Sequence, residues 1–307
     1  MARINRSESF DPRVRGTYHV VSRCVRGAWM LSSENVDRRD DLLRLLEELA
    51  AIYAIAIVAA AFLSNHFHLI LINLPELVDR WSDREVILRA QRAYPTRFAR
   101  MGVHGPPNDD QMKVLLRDTK LIREMRRRLS DISWMMRLLK QRFAAQVNRQ
   151  EQKTGHFWEG RFKMVEILSE QQLITTMIYV AVNQIRAGQA TSLDTSFWTS
   201  VCWQLQAREK RLAGDAEGAA ARDGLLTPLS TTDDAAQLGS QDGTAGSRRA
   251  RDTGTLEMSL DEFVRLAEFA AKLPHRKRPR APAKLAPLLE RIGVTVSALQ
   301  LALDGVI

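Results

Sequence analysis

The sequence predicts an α+β fold: a ferredoxin-like antiparallel sheet with helices on one face, a helical insertion and a helical C-terminal extension. Three observations predict it. Runs rich in Val, Ile and aromatic residues stand at 17–25, 55–62 and 66–72, as strands require. An amphipathic stretch, 35–52, falls between the first two and carries Leu42, Leu43, Leu45, Leu46 and Leu49 at helical spacing. Only a short turn at Ser64-Asn65 parts the second run from the third, which makes them a hairpin. Strand, helix, strand, strand is the first half of a ferredoxin-like sheet.

The elements follow in order. Residues 1–15 are polar and basic and read as an arm. The first strand ends at the Arg26-Gly27 break. After the hairpin, Leu74-Pro75-Glu76 stops the strand, and an insertion of about 74–130 begins, with a helix start at Trp81 to Glu85 and a loop at 102–110. Lys113 to Arg149 reads as helix, broken near Ser130-Asp131. Gly155 to Ile167 is a glycine-bounded turn followed by a strand. Ser169-Glu170-Gln171-Gln172 has the form of a helix N-cap, and that helix runs to Ala187-Gly188. These elements make a first domain, 1–205. Residues 206–255 have few large apolar side chains and read as a flexible linker, so a chain ending near Trp203 is expected to fold alone. Residues 256–307 form a small basic helical region with a cationic cluster, His275 to Arg280.

Charge narrows the partner. With 307 residues, 45% hydrophobic content and a formal charge of +9, the chain has material for a core and a bias toward polyanions. The N-terminal residues lack the apolar centre of a signal peptide, and Ile55 to Leu63, the longest apolar run, is too short to span a bilayer. Two cysteines suit a reducing compartment. The expected partner is nucleic acid in the cytoplasm, with no membrane, the protein being a monomer or homodimer.

Four groups of residues carry candidate chemistry. His66 and His68 flank Phe67 on one strand, so both imidazoles point to the same face, where they can share a divalent metal or simply sit on a half-buried strand. Tyr179 and Asn183 lie one helical turn apart, a spacing that suits core packing as well as a site. Between Lys113 and Arg149, eleven Lys or Arg, among them Arg126, Arg127 and Arg128, face three acids, which makes either a phosphate-binding surface or a solvated helix. Trp158, Arg161 and Lys163 interleave aromatic and basic character and can stack bases and hold phosphates, or anchor a core strand.

TYHVVSR, SNHFHLIL, FWEGRFK and YVAVNQIRAG, in that order over residues 10–200, resemble the motifs of the HUH single-strand DNA transposases, where U is a bulky hydrophobic residue. The nearest branch is the REP-associated tyrosine transposases, the transposase IS200-like family. The resemblance implies an HUH endonuclease fold over the first domain. It makes Tyr179 the catalytic nucleophile, sets Asn183 beside His66 and His68 as a metal ligand for Mg²⁺ or Mn²⁺, and puts Arg186 with the DNA contacts. It implies single-stranded or hairpin DNA, cut with a covalent 5′-phosphotyrosine and a free 3′-OH. One departure stands out: the family's Asn-Pro-Val-Arg-Ala is Asn183-Gln184-Ile185-Arg186-Ala187 here, so a different helix end is expected. The competing reading is a domesticated DNA-binding protein or repressor that kept the fold without catalysis. A metal-dependent RNA nuclease lacks the additional carboxylates such sites use.

Overall fold

The computed structural model describes residues 10–34, 36–231, 249–273 and 282–304. Its centre is a four-stranded antiparallel sheet made of β1 (Gly16–Arg23), β2 (Ile55–Phe62), β3 (His66–Asn73) and β4 (Lys163–Ile167). The strand order is β2-β3-β1-β4, the ferredoxin-like order expected from the sequence. A short ribbon pairs Ser32–Ser33 with Val36–Asp37 before α1 (Arg39–Ala50).

The register decides which side chains meet. β1 pairs with β3 so that Arg23 lies opposite His66, Val21 opposite His68 and His19 opposite Ile70. Directly opposed residues share a face. His19, Val21 and Arg23 therefore join His66 and His68 on one face, together with Lys163 and Val165 of β4, opposite Val21 and His19. Phe67 points to the other face.

Helices cover both faces rather than one. α1 and α7 (Ile132–Gln150) pack together on the Phe67 side, where Phe67 meets Trp158 edge-on at 5.5 Å between centroids. α8 (Glu170–Arg186) lies on the histidine side. The cause is in the strands: every residue of β2 is buried, as are all but the first of β3, and a sheet without a polar face needs two covers.

The insertion contributes α2 (Pro75–Arg80), α3 (Asp83–Ala93), α4 (Pro95–Ala99), α5 (Asp109–Arg117) and α6 (Thr119–Leu129). The helical stretch expected from Lys113 to Arg149 is thus three helices, because Asp118 and Asp131 each turn the chain and cap the next helix, accepting from the Leu121 and Ser133 amides.

The expected linker is largely structured. α9 (Ser200–Leu212) and α10 (Ala216–Asp223) occupy its start, and only 232–248 lie outside the described residues. The segment around them closes the outer edge of β2. The Phe62 amide donates to the Trp198 carbonyl at 2.8 Å, Ala60 N to Ser200 Oγ at 3.1 Å, and Thr227 N to the Ile57 carbonyl at 2.8 Å. Leu225, Leu226 and Leu229 are buried there. Small size and polarity make the stretch read as a linker, yet three leucines and one backbone bond from Thr227 extend the edge cover begun by Trp198 and Ser200. α11 (Leu260–Ala271) and α13 (Val296–Leu303) then pack on α8, with α12 (Ala286–Arg291) between them in sequence. The cluster His275–Arg280 falls outside the described residues.

These contacts run against independent folding of residues 1–203. A chain ending at Trp203 is expected to lose cooperative thermal unfolding, because the Ile57 end of the β2 edge, covered by Leu225 to Leu229, and the outer side of α8 become exposed. Leu226→Ala in the full chain is expected to cost about 2–5 kcal/mol, read as a lowered urea midpoint. A truncated chain that melts like the full one would show the cover to be dispensable.

Candidate active site

The site forms where β1, β3 and α8 meet. His68 is buried, and each ring nitrogen has a neighbour. Its Nδ1 lies 3.0 Å from His19 Nε2, and its Nε2 lies 3.4 Å from the Asn183 side-chain amide. The His66 and His68 rings stand 5.0 Å apart, and His66 Nδ1 lies 2.5 Å from Asn65 Oδ1. Both strand histidines thus have Nδ1 engaged, leaving Nε2 as the outward atom of His66 and the Asn183-facing atom of His68. The Tyr179 ring meets His68 edge-on at 5.3 Å and His19 at 6.1 Å.

His66, His68, Tyr179 and Asn183 therefore converge, although more than a hundred positions separate strand from helix in the chain. His19 was not singled out from the sequence, because its relation to His68 depends on the β1–β3 register. The available signal was its parity: an antiparallel neighbour adds every second residue to the histidine face.

Burial holds the imidazoles neutral. Desolvation lowers the pKa of His19 and of His66 to about 4, with the Arg23 charge adding to the effect on His66. His68 is driven well below its ordinary 6.5, by burial first and then by His19, His66 and Arg23. A neutral imidazole keeps a lone pair for a cation or a proton.

The tyrosines separate cleanly. Of the four in the chain, Tyr18, Tyr53 and Tyr94 are 4%, 0% and 9% exposed, and the Tyr53 and Tyr94 hydroxyls bond each other at 2.7 Å. Burial raises the phenol pKa of all three, that of Tyr18 to about 12. Tyr179 is the half-buried one, and it is beside the histidines.

Gln184 accounts for the departure at the helix end. It is buried and donates from Nε2 to the Phe62 carbonyl at 2.7 Å, tying α8 to the end of β2 just before the histidine hairpin. The helix continues to Arg186 and closes at Gly188, whose φ of +70° suits glycine.

The basic residues divide. Arg127, Arg161 and Lys163 are exposed, and Lys163 lies on the histidine face. Exposed Arg23, not anticipated from the sequence, joins them there, opposite His66. Four other expected DNA contacts are structural. Trp158 is buried among Phe67, Phe143 and Phe157, and its Nε1 donates to the Lys140 carbonyl at 2.9 Å. Arg126 donates to the Val78 and Trp81 carbonyls at the end of α2 and pairs with Asp83 at 2.7 Å. Arg128 pairs with Glu124 and stacks 3.7 Å from the Trp134 centroid. Arg186 donates to the Leu273 carbonyl at 3.2 Å and lies 3.8 Å from Asp304, joining α8 to the C-terminal helices. Arg126 and Arg186 thus serve carbonyls at helix ends, whereas Arg128 is held by a carboxylate and a ring and Trp158 by a carbonyl within α7.

No protein-family profile and no curated protein sequence matches the chain. Among solved structures, a REP-associated tyrosine transposase bound to a REP hairpin is similar at 13% identity, with a TM-score of 0.39, over 65% of this chain and 82% of that one. At that level the likeness carries no argument about what this chain does. Among the described residues, no helix is long and apolar enough to cross a membrane.

Two outcomes are expected. The native imidazoles bind protons more weakly than the unfolded ones, which titrate near 6.5. Stability present at neutral pH is therefore lost as pH falls from about 6.5 toward 4. His19→Gln is expected to flatten that slope in urea titrations, and an unchanged slope would mean that His19 is solvated. Separately, Arg126→Ala is expected to destabilise by about 1–3 kcal/mol, read as a lowered urea midpoint, through loss of its bonds to the Val78 and Trp81 carbonyls. Arg127→Ala, on open surface, is expected to leave stability within about 0.5 kcal/mol.

Proposed function

We propose that the chain is a metal-dependent single-stranded DNA endonuclease and strand transferase, acting through a 5′-phosphotyrosine on Tyr179, on DNA that carries a hairpin. The observation behind this reading is the convergence of the one half-buried tyrosine with neutral His66 and His68 and with Asn183.

The donor set suits a divalent ion. Two imidazole nitrogens and one amide oxygen would hold it: His66 and His68 through Nε2, and Asn183 through Oδ1 once its amide is turned toward His68. Two nitrogens make Mn²⁺ a better match than Mg²⁺, which favours oxygen. Such an ion supplies charge neutralisation and polarisation of a phosphate oxygen. The rest is work for side chains. His19 fixes the His68 ring through Nδ1, as second-layer partners of ligating histidines do. Arg23 and Lys163, exposed on the same face, hold the flanking phosphates. Tyr179 Oη attacks phosphorus, forming the O–P bond as the bond to the 3′-oxygen breaks. The phenol gives up its proton, and the 3′-oxygen leaves as a hydroxyl. The phosphodiester is conserved as a phosphotyrosine, so a second 3′-OH can reverse the step and join strands without ATP. Backbone access of this kind favours an unpaired strand.

The alternative, a DNA-binding protein without catalysis, draws on one observation: among the described residues, no three His, Cys, Asp or Glu side chains are grouped to hold a metal. A single assay separates the two readings. Labelled single-stranded DNA with Mn²⁺ is expected to give a covalent adduct on denaturing gels, mapping to Tyr179. Tyr179→Phe should abolish it, while Tyr18→Phe and Tyr94→Phe keep it. His68→Ala should abolish cleavage and leave most DNA affinity. An adduct on another tyrosine would overturn the Tyr179 assignment, and no adduct with any strand would refute the nuclease reading.

A further inference from the structure

On the sheet face away from the histidines, a cavity of about 660 Å³ opens between α7 and the loop at 155–162. Its size is that of a small-molecule site. Trp134, Trp158 and Phe157 give it apolar walls, and Arg137, His156 and Arg161 stand at it with no Asp or Glu among its lining residues. Lys140 holds the loop against the helix by donating to the Gly160 carbonyl at 2.5 Å. Arg137 lies 5.0 Å from the Trp134 centroid, a cation–π contact on the ring that Arg128 also approaches at 3.7 Å. Arg137, His156 and Arg161 are exposed. Aromatic walls beside cations, without a carboxylate, suit a ligand that is both planar and anionic.

The cavity is linked to the proposed active site through the backbone. The loop that walls it is bonded to the end of β1, with Glu159 N donating to the Arg23 carbonyl at 3.0 Å and Val25 N to the Phe157 carbonyl at 3.0 Å. Arg23 is the residue opposite His66 on the other face. Arg23, exposed beside His66, is thus the residue through which the histidine face and the cavity loop meet.

We propose that this cavity takes one unpaired nucleotide of the bound DNA, its base against the aromatic wall and its phosphate on Arg137 and Arg161. The location on the DNA rests on the single-strand reading above, whereas recognition of a nucleotide rests on the cavity alone. The test uses the full chain and thymidine 5′-monophosphate as probe. Added nucleotide is expected to shift the Trp134 indole resonance to saturation in ¹H–¹⁵N spectra, equally in Tyr179→Phe. Inorganic phosphate should leave that resonance unmoved. Arg137→Glu/Arg161→Glu should abolish the shift and weaken binding of a short oligothymidylate about tenfold more than Arg117→Glu/Lys120→Glu, an equal charge change on the insertion. An unmoved indole, an equal response to phosphate, or equal losses in the two double variants would overturn the proposal. Nucleotide binding in a protein that forms no adduct would leave it standing while removing the cleavage reading.

Discussion

A strand buried on both sides has to be covered twice, and most of this molecule follows from that. β2 and β3 carry almost nothing that tolerates water, so α1 and α7 close one face while α8 closes the other. Closing the second face brings Tyr179 and Asn183 down onto His68. The polar site is thus set into an apolar layer, and its imidazoles lose their hydration for the same reason that the strands do. α8, apolar around much of its circumference, then needs an outer cover of its own, which α11 and α13 supply.

Desolvation gives the histidine cluster its chemistry. In water an imidazole is partly protonated near neutrality, and two or three together would repel a cation. Here burial and mutual proximity keep them neutral, and hydrogen bonds at Nδ1, shared with His19 for His68 and donated to Asn65 Oδ1 for His66, orient the two rings. The same burial makes the site acid-sensitive, because protonation must put charge where little water reaches it.

The excess of arginine has two causes that composition cannot separate. Some cations lie on open surface, as Arg23, Arg127, Arg161 and Lys163 do. Others finish helices. Arg89 donates to the Ala51 carbonyl at 3.0 Å at the end of α1, Arg126 reaches the end of α2, and Arg142 the Ala93 carbonyl at 2.6 Å at the end of α3. A short-helix insertion exposes many terminal carbonyls, and a planar five-donor side chain is well suited to satisfying them while complementing the helix dipole. Much of the charge that reads as affinity for nucleic acid is therefore the means of holding five short helices together.

What was legible in the sequence was periodicity and local chemistry. Alternation and apolar runs set the strands, Ser64-Asn65 set the hairpin, and the two-residue period put His66 and His68 on one face before any neighbour was known. Ser169 marked the start of the tyrosine helix, and its spacing paired Tyr179 with Asn183. Everything that depends on pairing across the chain was decided by the tertiary structure. The partnership of His19 with His68 needs the β1–β3 register. Trp158 as a core side chain that also lines a cavity needs Phe67, Phe143 and Phe157 around it. Arg186 as a tie to Leu273 and Asp304, and Leu226 as cover for β2, need segments that look detachable when read in order. The physical reason is the same throughout: local sequence fixes which way a side chain points, but only packing decides whether it points at water, at a carbonyl or at another ring.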